Sequence, residues 1–145
     1  MQIRTAVPAD LQGIVNIEAE CFPAAEAATE ASLSGRLAFY PNHFWVQLDG
    51  DRMIGFVNGM VTDEPDLRDE MYEDASLHNE NGAWQMIFGV NTLPEYRRNG
   101  YAGRLLRCAI DTARKQGRKG VVLTCKEKLI HYYSGFGFVN EGIST

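Results

Sequence analysis

Apolar positions divide the chain into short extended runs and longer stretches with helical spacing. Ile3 to Val7 reads as an opening strand. Pro8 suits a first helical turn, and Asp10 is favourable near the positive end of a helix. Leu11, Ile14, Val15 and Glu18 carry that helix to about Cys21. Thr29 fits as the cap of a second helix, with Leu33 and Leu37 on its apolar stripe and an end near Pro41. Phe44 to Leu48 predicts a strand, Asp49-Gly50-Asp51 a hairpin turn, and Met53 to Val61 the return strand. Ala83 to Val90 is apolar almost throughout, as in a central strand buried on both faces. Gly100 to Gln116 is the clearest element: Ala102, Leu105, Leu106, Ala109, Ile110 and Ala113 form one helical stripe, and Gly117 stops it. Gly120 to Cys125 predicts a buried strand, Glu127 to Ser134 a short helix, and Phe136 to Ile143 a final strand. The expected fold class is mixed α/β around a central sheet.

Composition narrows the class. The 145 residues fit one domain, 1–145, and suffice for a core without metal or disulfide help. No apolar run approaches the roughly 18 residues a membrane span needs. The first residues lack the layout of a secretory signal. Three widely spaced cysteines, Cys21, Cys108 and Cys125, form neither a zinc pattern nor a disulfide framework, so a cytoplasmic location is expected. Net charge is −5, which argues against nucleic acid as the main partner. The charge is unevenly placed. Eight of 19 acids lie between Asp63 and Glu80, a segment read as a polar loop with a helical turn near Leu67 to Tyr72. Ten of 14 basic residues lie between Arg97 and Lys128. Such a segment can hold an anionic ligand, and an acidic loop can attract a cationic one.

The loop before the long helix reads Arg97-Arg98-Asn99-Gly100-Tyr101-Ala102-Gly103. The first turn of a helix has N–H groups without intrahelical acceptors, and its dipole favours negative charge there. Gly100, Ala102 and Gly103 let a bulky anion approach the backbone. No Gly-Lys-Ser/Thr run and no G-x-G-x-x-G spacing occurs, so neither a Walker loop nor a dinucleotide fingerprint fits. Arg97-x-x-Gly100-x-Ala102 resembles the acyl-CoA-binding motif of the GCN5-related N-acetyltransferases (GNAT). That resemblance implies a mostly antiparallel sheet flanked by helices, acetyl-CoA as co-substrate, and no metal. It also places Phe88, Gly89 and Val90 along the pantetheine arm. The family usually has a further strand beyond the position of Thr145. The expectation is either a sequence cut short of that strand or a sheet completed in another way, for example by a partner chain in a homodimer.

Tyr133-Ser134-Gly135-Phe136-Gly137-Phe138 matches the family's Tyr-x-x-x-Gly-Phe pattern, whose tyrosine lies near the thioester sulfur. A phenol with pKa about 10 is a suitable proton donor to a thiolate whose conjugate acid lies near 8.5. Tyr133 is therefore the expected general acid. Glu20-Cys21-Phe22 and Leu129-Ile130-His131-Tyr132-Tyr133 resemble the arylalkylamine N-acetyltransferase branch, which implies that Phe22 lines an amine pocket. Glu26 is a second candidate on the substrate side. In the vertebrate enzymes of that branch two histidines are linked to removing the amine proton. Trp84 and Met86 stand at the matching positions, and neither accepts a proton. Glu26, His78 and His131 are the candidate bases, beside a water chain to the acidic loop. Phe22, Phe39, Tyr40, Phe44 and Trp45 are candidates for an aromatic pocket.

The expected reaction is direct attack of a small aryl- or alkylamine on acetyl-CoA, with N–H groups around Phe88 to Val90 stabilising the oxyanion. Acetylation of a protein N-terminus or lysine is the alternative within enzymes. A CoA-binding regulatory module without turnover is the alternative outside them, and a purely structural domain leaves the phosphate turn without purpose.

Overall fold

The structure, a computed structural model, describes residues 1–22, 25, 27–68 and 70–123. The predicted helix near 127–134 and strand near 136–143 lie outside the described residues. The chain opens with β1 (Gln2–Thr5), a 3-10 turn (Pro8–Asp10) and α1 (Leu11–Cys21). Next come α2 (Glu30–Phe39), β2 (Phe44–Asp49), β3 (Arg52–Asn58) and β4 (Val61–Thr62). After α3 (Glu70–Glu73) follow β5 (Trp84–Ile87), β6 (Gly89–Thr92), α4 (Tyr101–Lys115) and β7 (Gly120–Leu123). No described helix is long and apolar enough to cross a membrane.

Local chemistry explains several ends. Thr29 caps α2 by accepting a hydrogen bond from Ser32 N–H at 3.1 Å. Asp49 pairs with Arg52, which leaves Gly50 (φ 60°) and Asp51 as a tight hairpin turn. Gly117 (φ 75°) ends α4 in a Schellman arrangement: its N–H donates to Arg114 O, and Arg118 N–H donates to Ala113 O.

The strands form two sheets. One is antiparallel, in the order β1-β2-β3-β6; the other runs β4-β5-β7, with β5 and β7 parallel. The sequence reading of two continuous strands, Met53 to Val61 and Ala83 to Val90, is corrected here. Each changes sheet partway. Asn58 pairs with Gly89 and Val61 with Gln85. Between those pairs Gly59 and Met60 oppose Met86, Ile87 and Phe88, one residue more. This is a β-bulge, held by bonds from Met86 N–H to Met60 O and from Phe88 N–H to Asn58 O, both 2.8 Å. The extra residue inverts the alternation. Ile87 and Val90 therefore both pack in the cluster beneath α4, although a regular strand would place them on opposite faces.

The core follows the sheet faces. Ile14 and Ile17 of α1 and Leu33 and Leu37 of α2 pack on Phe44, Val46, Ile54 and Phe56. Leu105, Leu106 and Ala109 of α4 cover Trp45, Val57 and Ile87 on the other face. A third cluster joins Tyr40, Met60, Leu67, Met71 and Met86, with Phe88 and Tyr72 against it.

The bulge requires glycine at position 59, because a Cβ there would lie 1.7 Å from Met86 O and 2.9 Å from Ile87 Cα. Gly59→Ala is therefore expected to lose more than about 3 kcal/mol, or to fail to fold, since backbone rather than a flexible side chain must move. A urea midpoint within error of wild type would contradict this.

Candidate functional site

Strand β6 delivers the chain to the start of α4 through Leu93 and a 3-10 turn, Pro94–Tyr96. Arg98 then takes φ 65° and Gly100 φ 80°. The loop is braced from within: Asn99 Nδ2 donates to Tyr96 O (3.2 Å) and Arg97 O (3.1 Å). Arg97 Nε donates to Thr92 O at 3.1 Å, and the Cys21 thiol donates to the same carbonyl at 3.4 Å. The loop and the end of α1 thus share one anchor on β6.

Unlike α2, α4 has no side-chain cap. Its first intrahelical bond runs from Arg104 N–H to Gly100 O, 3.1 Å. The N–H groups of Tyr101, Ala102 and Gly103 precede that bond and have no acceptor within the helix. A Cβ at Gly100 would meet nothing within 4 Å. Arg97, Arg98 and Arg104 are exposed around this tip. An uncapped helix start with open space ahead of it and arginines beside it fits a diphosphate. The structure brings Arg97, Arg98, Asn99, Gly100, Tyr101, Ala102 and Gly103 together there. Phe88, Gly89 and Val90, the other residues expected to bind CoA, sit at the bulge, half-buried. Among the described residues β6 is the edge of its sheet, paired with β3 alone. An unpaired strand edge offers backbone groups to an extended, amide-bearing chain such as pantetheine.

On the α1/α2 side of the bulge lies a buried polar group that the sequence reading did not assemble. Glu18 accepts from Asn91 Nδ2 and from Ala28 N–H, each at 2.7 Å. Arg36 donates to Asn58 Oδ1 (3.2 Å) and Tyr72 O (2.9 Å) and lies over the Phe88 ring, 5.0 Å from its centroid. Burial pulls the Arg36 guanidinium below its ordinary range, against the opposing influence of Tyr40, Glu18 and Tyr72. Burial also pushes the Tyr40 phenol well above the usual value. The signal was present: Arg36 and Glu18 sit on the apolar stripes of their helices, among Leu33 and Leu37 and beside Ile14 and Ile17.

The expected substrate-side residues are placed differently. Phe22 is half-buried at the end of α1, next to the Cys21–Thr92 contact. Glu26, Tyr133 and His131 lie outside the described residues. The aromatic set does not form one pocket. Phe44 and Trp45 point to opposite faces of β2 and are core, and Phe39 is exposed.

His78 is not a free base. Its Nδ1 accepts from Val61 N–H at 2.9 Å, so the proton is on Nε2, which donates to Glu80 at 2.9 Å. His43 joins the same carboxylate through Nε2 at 2.9 Å, and its Nδ1 faces Gln85 Oε1 at 3.0 Å. Gln85 is oriented by donating to Gly59 O, Met60 O and Met86 O. Arg118 completes the cluster, 3.3 Å from Glu80. Two imidazoles and a carboxylate also suit a metal, but a protonated Nε2 on His78 has no lone pair to give. The cluster instead pins the acidic segment to the bulge.

The sequence profile of the acetyltransferase (GNAT) family matches residues 11–138. The chain is 25% identical over 142 residues to a probable hydrolase, YhcX, of Bacillus subtilis, covering 92% of this chain and 28% of that protein. It is 28% identical over 104 residues to N-acetyltransferase 8 of Homo sapiens, covering 70% and 40%. It thus spans well under half the length of these curated relatives. Among solved structures, the GphF GNAT-like decarboxylase in complex with isobutyryl-CoA superposes with a TM-score of 0.79 at 29% identity, covering 93% of this chain and 72% of that one.

Burial, opposed by the Glu80 hydrogen bond, holds His78 below the ordinary 6.5. Burial would raise Glu80, but the hydrogen bonds from His43 and His78 outweigh it and hold it below 4.5. In both cases the unfolded chain binds the proton more readily. Stability is expected to fall as pH drops below about 6.5, through His78, and further below about 4.5, through Glu80. Urea midpoints at pH 7.5 and 5.5 check the first step, which should shrink in His78→Gln. An equal drop in that variant would contradict the assignment.

Proposed function

From the premise that the chain belongs to the GNAT acetyltransferase family, we propose that it transfers an acetyl group from acetyl-CoA to a small primary amine by direct attack. The observation that carries this reading is the uncapped, glycine-opened start of α4 beside β6, the edge of its sheet among the described residues. The α4 tip holds the diphosphate, and Gly89 and Val90 run beside the pantetheine arm. The amine nitrogen bonds to the acetyl carbon, the C–S bond breaks, Tyr133 gives the departing sulfur its proton, and the proton shed by the nitrogen restores the phenol. An ammonium with pKa near 10.4 must first lose a proton. With His78 committed to Val61 and Glu80, that proton leaves through water rather than through His78. The resemblance of Glu20-Cys21-Phe22 to the arylalkylamine branch supports a small acceptor over a protein one. The site of action is proposed as the cytoplasm.

A second reading is a reaction on the acyl group itself, as the name of the GphF decarboxylase states for that protein. Arg36, a buried cation beside Phe88, favours it, because a cation there suits an acyl carboxylate.

Free-thiol release from acetyl-CoA across a panel of aryl- and alkylamines tests the first reading, and release with an amine is expected. No release with any amine or peptide would overturn it. Carbon dioxide from malonyl-CoA without free thiol would put the second reading in its place. Gly100→Val forces a branched residue into left-handed backbone at about 1–2 kcal/mol and fills the approach to the helix tip. It is expected to weaken acetyl-CoA binding at least about tenfold by calorimetry. Tyr133→Phe is expected to lower kcat more than about tenfold with little change in acetyl-CoA affinity. Unchanged kcat would remove Tyr133 from the mechanism.

A further inference from the structure

We propose that Arg36 and Tyr40 form a subsite for a carboxylate, carried either by the acceptor amine or by the acyl group of the thioester. The proposal deepens the acyl-transfer reading above and rests on it for the identity of the neighbouring cofactor.

The two residues stand one helical turn apart. Arg36 is in the last turn of α2, and Tyr40 follows its end, with Tyr40 N–H donating to Arg36 O at 2.9 Å. Both are buried, at 5% and 1% exposure. Both keep an unmade hydrogen bond: Arg36 Nε and the Tyr40 hydroxyl have no partner among the described residues. Leaving a buried polar group unpaired costs about 1–3 kcal/mol, and more for a charged one. Two such donors four residues apart, on the side of α2 that meets the bulge, ask for an acceptor that the described residues do not supply.

That acceptor is anionic. The Arg36 hydrogen bonds go to a neutral amide oxygen and a neutral carbonyl. Among the described residues it makes no ion pair. Glu18 acts on it from nearby, but both Glu18 oxygens are engaged by Asn91 and Ala28. Two unmade donors match the two oxygens of a carboxylate; a phosphate would require more. The reach is right for either source. Arg36 stacks on Phe88, the last residue of the bulge, and Tyr40 packs with Met60 and Met86 of the same bulge.

Two comparisons distinguish the sources. In one, kcat/KM is measured with acetyl-CoA for phenylalanine against phenethylamine, which differ by the carboxylate. In the other, Kd is measured for malonyl-CoA against acetyl-CoA. The carboxylated member is expected to be favoured about tenfold in one comparison, the worth of one charge-assisted hydrogen bond. Both Arg36→Gln and Tyr40→Phe should bring that ratio close to one. Arg36→Gln alone leaves room for misfolding. Tyr40→Phe removes only a hydroxyl that the described residues leave unpaired, so its urea midpoint should match or exceed wild type. A ratio near one in both comparisons, or a preference that survives in both variants, overturns the subsite. Thiol release with phenethylamine but no carboxylate preference sinks the subsite and leaves acyl transfer standing. No thiol release with any compound sinks acyl transfer. The subsite is then upheld if phenylalanine or malonyl-CoA raises Tm in wild type but not in Tyr40→Phe, and overturned if neither does.

Discussion

One extra residue in the segment Met86-Ile87-Phe88 sets the geometry of the site. Opposite it, Gly59 lets two backbones meet closer than any side chain permits. The bulge sends the incoming strand into one sheet and the outgoing strand into another. It turns Phe88 toward α2 and Arg36, and Val90 toward α4. It also places Thr92 where a single carbonyl receives both Arg97 and Cys21. The start of α4 and the end of α1 are therefore positioned by the same strand that carries the bulge. Small errors at Gly59 would reach the start of α4 by way of β6.

Charge in this molecule is paired where it serves the fold and left open where a ligand is expected. Glu80 gathers His43, His78 and Arg118, and Arg68 bridges Glu64 and Glu70. These contacts absorb much of the acidic segment, and the pairs that are exposed stabilise little individually. Helix α2 has its first turn satisfied by Thr29, whereas α4 begins with a glycine and no cap. Gly100 takes φ 80°, a left-handed conformation in which Ser or Thr would be strained by about 1–2 kcal/mol, more than a cap returns, so the turn itself favours glycine at position 100. A carboxylate there would repel a diphosphate, and any side chain would stand in its path.

The elements that were legible in the sequence are those decided locally. The α4 stripe, its stop at Gly117, the Thr29 cap and the Gly50 turn each follow from a few adjacent residues, and the structure has them all. The loop from Arg97 into the start of α4 was legible for the same reason. The bulge was not. Trp84 to Val90 is apolar nearly throughout, so no alternation existed whose inversion could be seen. The aromatic pocket failed on alternation too, because adjacent Phe44 and Trp45 must face opposite ways on a strand. Arg36 and Glu18 were visible as polar residues on apolar stripes, but their meeting with Asn58 and Asn91 depends on strands far away in sequence. Tyr133 was read from resemblance and Glu26 as a candidate base, and both lie outside the described residues.

The pair Arg36 and Glu18 raises a question of purpose that stability does not answer. Burial draws the Arg36 guanidinium below its ordinary range, so the folded state bears a desolvation penalty there. Neutral partners and an aromatic face offset it only in part. A leucine or methionine at position 36 would continue the stripe of Leu33 and Leu37 without that penalty, and buried ions are often replaced by apolar residues with no loss of stability. A cation beside the strand break and a phenol next to it, both incompletely bonded among the described residues, are a local rule broken without a local gain. Such breaks belong to sites where the gain appears only when something binds. At the α4 tip, too, N–H groups lack an acceptor within the helix. In both places the free protein leaves donors unpaired, and the two places flank the bulge that fixes their separation.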